Sequence, residues 1–342
     1  MLRKILKIWL KIIAGQVLRK YQPKIVAITG SSGKTSTKDA ILTVLMGQDI
    51  AGTTGNLNTE FGVTATIIDP LFRPVTVGEK AKLRVQDVWS LSIEGIRKIV
   101  QTKPYPKILV LELAADRPGD IRYFMSFINP EVSVLTNVGD VHLEFFGSKS
   151  NLVKEKGEII ANVKKSGLAI LNKDDDFSKL MSRQTEARKL FVGVTNEADL
   201  IAEDIGFGAK GIHFNAVIGA GTEVTHIDMP VFGYQFVYAA LFALAVGKYF
   251  GLSLEEMAKR LNSYQVPASR FEICQMGSVI IIDDTYNANP DSMIMALKSL
   301  ARLGVNRKKV AILGDMRELG TAHRKGHQKV GEMASKGLDQ LW

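Results

Sequence analysis

The stretch PKIVAITGSSGKTSTKDA, residues 23–40, decides the fold. A short apolar, β-branched run enters a glycine turn and a good helix former leaves it, so the order is strand, turn, helix. The full phosphate-loop pattern G-x-x-x-x-G-K-[ST] would need a glycine where Ile28 stands, which leaves the shortened form Gly30-Ser31-Ser32-Gly33-Lys34-Thr35. Its mechanics survive the shortening. Glycines let backbone N–H groups turn onto phosphate oxygens, and the helix behind them points its positive end the same way. Lys34 can reach the β and γ phosphates, and the Thr35 hydroxyl can hold Mg²⁺. ATP or a relative is the expected ligand, but most such loops belong to hydrolases, switches or kinases, and the loop alone does not distinguish among them.

Beyond the loop, apolar runs alternate with amphipathic stretches: KILVLEL, then PGDIRYFMSFI; VSVLTNV, then SNLVKEKGEIIANV; GLAILN, then DDFSKLMSR; then KLFVGV. Short buried strands alternating with helices predict an α/β fold with a mainly parallel, doubly wound sheet whose ligands gather at the carboxyl ends of the strands. Residues 198–229 read as short antiparallel strands, and QFVYAALFALAVGKYF with SLEEMAKRL as a closing helical pair. Pro267 marks a boundary. A second α/β pattern follows, with SVIIIDD, a helix from about Pro290, KVAILGD and a helix from about Ala322. It stops at Trp342 after too few elements to complete a sheet, so it reads as a partial Rossmann-like domain. The expected division is a basic helix at 1–22, a central ATP-binding domain at 23–266 and an incomplete C-terminal domain at 267–342.

The composition, 46% apolar and 23% charged without repeats, excludes a solenoid or a largely disordered chain. One cysteine, Cys274, excludes an internal disulfide and a thiolate metal cluster, and it suits a cytoplasmic setting. Lying in FEICQMGSVIII, a strand-turn-strand element, it is expected to behave as a small hydrophobe. The net charge of +9 does not by itself indicate nucleic acid, because much of it sits in the first 24 residues, which carry no acidic side chain. There Lys4, Lys7 and Lys11 share a narrow helical face, and Leu2, Ile5, Leu6, Trp9, Ile12 and Ile13 fill the opposite one. The lysines interrupt the apolar run too often for a spanning helix. Two readings stay open: a helix packed on the next domain, or peripheral contact of residues 1–20 with the inner membrane surface through its apolar side, its lysines on anionic head groups.

Four further stretches narrow the chemistry: GNLNTEFGV (55–63), LVLELAADRPGDI (109–121), LTNVGDVHLEFFGS with EKGEI (135–159), and IIDDTYNANPDSM followed by ILGDMRELG (281–320). Together with the phosphate loop they resemble the Mur ligase family. The DDTYNANPDSM and GDMRELG segments resemble its D-alanyl-D-alanine-adding branch, and the match runs in order from about residue 24 to the end. The resemblance implies an ATP-dependent, Mg²⁺-requiring amide ligase of peptidoglycan precursor synthesis. In such ligases ATP phosphorylates a carboxylate of a UDP-N-acetylmuramoyl tripeptide, and the amine of D-alanyl-D-alanine attacks the acyl phosphate.

Carried residue by residue, the resemblance implies that Gly30, Ser31, Ser32, Gly33, Lys34 and Thr35 hold the triphosphate. It places Thr35, Glu112, His142 and an N-carbamylated Lys156 around two Mg²⁺ ions, with Lys34, Glu112, His142 and Lys156 as the catalytic set. Asn58 and Thr59 match substrate-loop positions facing the muramoyl group, and Arg270, Asp284 and Asn287 match positions turned toward the nucleotide. For several of these a plainer account exists: an N-cap at Thr59, a surface lysine at 156, a turn and helix start at Asn287 and Asn289-Pro290. His327 also matches a family histidine.

Three departures accompany the match. Only the basic helix stands where muramoyl ligases place a UDP-gripping domain. Gln235 and Ala239 occupy positions of a family histidine and asparagine, the latter an adenine reader. The chain ends before the family's lysine-glycine-serine element. A monomer is expected, with a muramoyl-peptide precursor and D-alanyl-D-alanine as substrates and no nucleic acid. The competing readings are a sibling ligase of the folylpolyglutamate synthase or cyanophycin synthetase type, and a non-catalytic nucleotide-binding module at the membrane surface.

Overall fold

A computed structural model of the protein describes residues 2–55, 57–73, 76–77, 80–81, 85–195, 197–208, 210–219 and 221–342. Asn56 of the 55–63 stretch and the side chain of Leu2 lie outside the described residues. A nine-stranded sheet organises most of the chain. From one edge its strands run Glu223–Met229, Gly211–Ile218, Leu200–Gly208, Arg188–Gly193, Leu168–Asn172, Val132–Leu135, Lys24–Thr29, Ile108–Glu112 and Ile50–Gly52. The six pairings from Ile50–Gly52 through Leu200–Gly208 are parallel and the last two antiparallel, as the sequence predicts.

Strand Lys24–Thr29 shows why this sheet forms. Five of its six residues are buried, and successive side chains go to opposite faces. Val26 and Ile28 join the core under helices Lys34–Val44, Gln235–Tyr249 and Leu254–Leu261. Ile25 and Ala27 join the core under Leu2–Tyr21, Glu60–Ile68, Asp120–Met125 and Lys149–Ala161. Its neighbours, Ile108–Glu112 and Val132–Leu135, are both parallel to it. The chain segments leaving all three strands therefore emerge at one carboxyl edge, where an open α/β sheet keeps its crevice.

The N-terminal helix packs on the protein, with Leu10, Ile13, Ala14, Val17 and Leu18 buried. Of the face marked by its spacing, Ile13 and the half-buried Leu6 join this core. Ile5, Trp9 and Ile12 are exposed, because the helix has two apolar stripes and the one richer in small and branched residues fits the groove. Lys7 and Lys11 lie over the Tyr123 ring, at 4.1 and 5.2 Å from its centroid. Among the described residues no helix is long and apolar enough to cross a membrane.

Beyond Pro267 a smaller core gathers Leu297, Ala311, Met316, Leu319, Val330 and Ala334. Strands Val310–Ala311 and Gln340–Leu341 pair in parallel around helix His323–Ala334, a crossover unit of the expected kind. The SVIIIDD run lies outside that sheet and supplies the second strand of the strand-turn-strand element expected at FEICQMGSVIII. It forms a separate antiparallel hairpin with Glu272–Met276, closed at Gly277, whose φ of 61° a glycine accepts without strain. Cys274 consequently stands exposed on this hairpin instead of packing as a small hydrophobe.

Candidate functional site

The phosphate loop is shaped by two glycines with different duties. Gly33 has φ 76° and open space where a Cβ would stand. Gly30 is closed in: a Cβ there would lie 1.8 Å from Thr136 Oγ1. The contact arises because strand Val132–Leu135 is parallel to Lys24–Thr29, so the residues following both strands meet. The Ser32 amide donates to Asn137 Oδ1 at 2.9 Å, and the Ser31 amide donates to the Asn137 carbonyl at 3.0 Å. Thr136 Oγ1 donates to the Ser32 carbonyl at 2.6 Å. Asn137 thus presents oxygen to the loop's own N–H groups, the kind of atom a phosphate would offer.

Two lysine amines converge on one carbonyl. Lys34 Nζ and Lys156 Nζ donate to the Gly30 oxygen at 2.8 and 3.0 Å. Burial lowers the Lys34 pKa, against the pull of Glu112 and Asp116. Burial and then the Lys34 charge take Lys156 well below its ordinary value, so its amine is held toward the neutral form. Lys156 is only 1% exposed. It closes the loop from beneath and is not part of the cleft wall. It reaches this place because helix Lys149–Ala161 is anchored on either side of it: the Ser148 side chain caps the helix, and Glu155 accepts the Gly119 and Ile121 amides at 2.8 and 2.7 Å.

Glu112 ends its strand fully buried. Thr35 Oγ1 donates to its Oε1 at 3.1 Å and Asn58 Nδ2 at 2.9 Å, while its Oε2 is buried with no hydrogen-bond partner. A carboxylate oxygen left bare in the interior is expensive unless a cation meets it. The donors nearby, the Thr35 hydroxyl and the Glu112 carboxylate, are hard oxygen ligands of the kind Mg²⁺ takes. His142, at φ 55°, lies 2.5 Å through Nδ1 from Glu318 Oε2 and 3.4 Å through Nε2 from Asp116 Oδ1.

The part beyond Pro267 completes the cleft. Arg270 Nη2 donates to Thr35 Oγ1 at 3.0 Å, and its guanidinium stacks 3.9 Å from the Tyr286 ring centroid. Asp284 is pushed up to about 6 by burial, which outweighs the Arg270 charge. The cleft, of about 1490 Å³, is lined by Lys34, Thr35, Asn58, Thr59, Glu112, His142, Arg270, Asp284 and Asn287 among others. Of the candidate site residues singled out in the sequence, Gly30, Lys156 and His327 do not line it, and the others do. Asn58 is tied to Glu112, and Thr59 stands at the N-cap position of helix Glu60–Ile68 with no side-chain cap bond. Asn289, not Asn287, makes the helix cap, in a reciprocal pair with Ser292. His327 pairs with Asp315 at 2.8 Å, and its Nε2 accepts the Met316 amide.

Sequence reading missed Asn137, Asp116 and Glu318. All three act across the fold, so only the parallel pairing of the strands and the docking of the last segment could reveal them.

The fold and the site together define a P-loop α/β nucleotide-binding protein whose cleft is walled by two structural units. Residues 28–247 match the Mur ligase middle domain, and residues 269–342 match the glutamate ligase domain of Mur ligases. The chain belongs to the Mur ligase family. It is 30% identical to the UDP-N-acetylmuramoyl-tripeptide–D-alanyl-D-alanine ligase of Bacillus subtilis strain 168 over 94% of its own length and 63% of that protein's. It is also 30% identical to the ligase of the same name from Escherichia coli K12, over 96% and 66% of the two chains. The chain thus spans just under two thirds of these relatives. Among solved structures it resembles the MurF ligase of Thermotoga maritima in complex with ADP, with a TM-score of 0.79 and 28% identity over 97% of this chain and 69% of that one. MurF from Acinetobacter baumannii gives a TM-score of 0.78 at 27% identity, covering 98% and 66%. An apo folylpolyglutamate synthase from L. casei, at a TM-score of 0.66 and 16% identity over 97% and 82%, shares the fold alone.

Proposed function

We propose that this protein is an ATP-dependent amide ligase of peptidoglycan precursor synthesis, acting in the cytoplasm as a monomer on a muramoyl tripeptide and D-alanyl-D-alanine. The observation that carries the reading is the bond from Arg270 to Thr35. It joins the unit beyond Pro267 to the phosphate loop, as a reaction needing an amine beside an activated acid requires. The chain would divide into the basic helix at 1–22, the ATP-binding unit at 23–266 and the ligase unit at 267–342.

In this reading the substrate carboxylate takes the γ-phosphoryl group and ADP leaves. The dipeptide amine then attacks the acyl carbon, and phosphate departs as the amide forms. Gly30 to Thr35 bind the triphosphate, and Lys34 neutralises charge on the transferring group. Arg270, Asp284 and Asn287 orient the nucleotide, while Asn58 and Thr59 face the muramoyl side. Thr35, Glu112 and His142 hold Mg²⁺, which when bound offsets phosphate charge. Lys156 joins them as its carbamate: the neutral amine adds to CO₂, a C–N bond forms and a proton is released. The lowered basicity of Lys156 supports that step.

The test is ADP and phosphate release with ATP and D-alanyl-D-alanine, using UDP-linked and lipid-linked tripeptide acceptors in separate arms. Release that requires both the acceptor and the dipeptide supports the reading. Release with folate and glutamate alone, or nucleotide binding that no acceptor stimulates, overturns it. ¹³C-labelled bicarbonate should give a carbamate resonance that disappears in Lys156→Met.

A further inference from the structure

Helices Leu2–Tyr21 and Val85–Val100 lie side by side and run the same way. Trp9 Nε1 donates to Ser92 Oγ at 2.9 Å. Gly95 faces Ile13 so closely that a Cβ would come within 2.2 Å of Ile13 Cγ2. Lys20 Nζ donates to the carbonyls of Lys98 and Gln101, both at 2.8 Å. Contacts rise in number together on the two helices, which makes them parallel. Each helix buries one apolar stripe, Leu10, Ile13, Ala14 and Val17 on one and Val88 and Leu91 on the other. Each also exposes a second: Ile5, Ile8, Trp9 and Ile12 on one, Trp89, Ile93, Ile96 and Val100 on the other. At about 100° per residue the exposed stripes are turned to opposite hands of the contact line. On parallel helices that rotation puts both stripes on the same side.

From this juxtaposition we infer that the two helices form a single apolar plateau that seats the protein on an anionic lipid surface. Trp9 is 44% and Trp89 69% exposed, far more than large aromatics left to a protein interior, and an apolar area of this kind marks a docking face. The charge around it selects the occupant. The first helix has no acidic residue, and exposed Lys4 flanks the plateau on one side and Arg97 on the other. Glu94 is turned away and paired with Arg97 and Lys98. Tryptophans with a cationic border match the interface between acyl chains and anionic head groups. The inference does not rest on the ligase reading, since none of these plateau side chains belongs to the site.

The full chain is tested by flotation with vesicles of phosphatidylcholine alone or with roughly a third phosphatidylglycerol. Binding should need the anionic lipid and weaken at high salt. Trp89→Glu with Ile93→Glu, a change confined to the second helix, should lower the partition coefficient at least about tenfold, with an unchanged circular-dichroism melt. In a Trp342→Phe background, Trp9→Phe leaves Trp89 as the reporter and Trp89→Phe leaves Trp9. Brominated lipid should quench both. Quenching of Trp9 without Trp89 overturns the two-helix plateau. Absence of vesicle binding, or light scattering that shows a dimer lost in the Trp89→Glu, Ile93→Glu variant, overturns the lipid occupant.

Discussion

Arg270 and Thr35 are joined by a 3.0 Å hydrogen bond across 235 residues of sequence. The Thr35 hydroxyl accepts from the guanidinium and donates to Glu112, so one hydroxyl ties the last segment to the buried carboxylate. Arg270→Ala removes a charge-assisted bond worth about 1.5–3 kcal/mol. ATP affinity should fall by about ten- to a hundredfold by calorimetry. Arg270→Lys keeps the charge but not the stacking on Tyr286, and should fall between the two. An alanine variant with wild-type affinity would detach Arg270 from the site.

The two loop glycines should separate. Gly33→Ala meets open space and pays only for a left-handed residue, about 1 kcal/mol. Gly30→Ala drives a methyl into Thr136 and parts the loop from strand Val132–Leu135. Urea unfolding should show a small loss for the first and a loss of several kcal/mol for the second, of the order that overpacking and backbone strain produce. Equal losses would mean that Thr136 moves aside freely.

Lys156 gives a pH signature. Its native pKa is depressed below the ordinary 10.5, so between the lowered value and 10.5 the unfolded chain binds more protons than the native one. Stability contributed by this residue therefore rises with pH through that window. In Lys156→Met the slope should flatten, measured as the urea midpoint at about pH 7 and about pH 9. A variant retaining the full slope would show that another group carries it.

Asp284 works in the opposite sense. Burial raises it from 3.8 to about 6, so through that interval the native state binds more protons than the unfolded chain and stability falls as pH rises. Asp284→Asn should gain on the wild type between those values and keep a constant advantage above them. Denaturation series across the interval would show it, and parallel curves would refute it.

The sheet was legible because its strands are short, apolar and separated by turns, and because buried parallel strands need no alternation. The phosphate loop and Glu112 were legible for the same reason, since both sit at strand ends. Asn137 was not: a lone asparagine after a strand has no local signature, and its contact with Ser32 exists only because two strands far apart in sequence are neighbours. Lys156 looked like a surface lysine between charged neighbours, yet Glu155 is turned to amides of the adjacent helix and the lysine is buried. The N-terminal helix was legible as amphipathic, but two apolar stripes do not reveal which one packs. The strand-turn-strand element at FEICQMGSVIII was legible because two strand-forming runs flank a glycine, a local signal that needs no distant partner.

Gln235 leads to the last prediction. Its Oε1 is buried without a hydrogen-bond partner, one turn before Ala239 on helix Gln235–Tyr249, and both line the cleft beside Tyr238 and Phe242. An acceptor left empty between aromatic walls suits the exocyclic amine of adenine, whereas guanine presents an oxygen at that edge and would repel it. Gln235→Leu should weaken ATP binding about tenfold and leave GTP nearly unchanged, collapsing the preference between them. Ala239→Asn, which restores a polar group one turn away, should tighten ATP. Competition of both nucleotides against a fluorescent ADP measures each constant. An unchanged ratio in Gln235→Leu would place the base elsewhere along the cleft and leave the buried amide oxygen a purely structural expense.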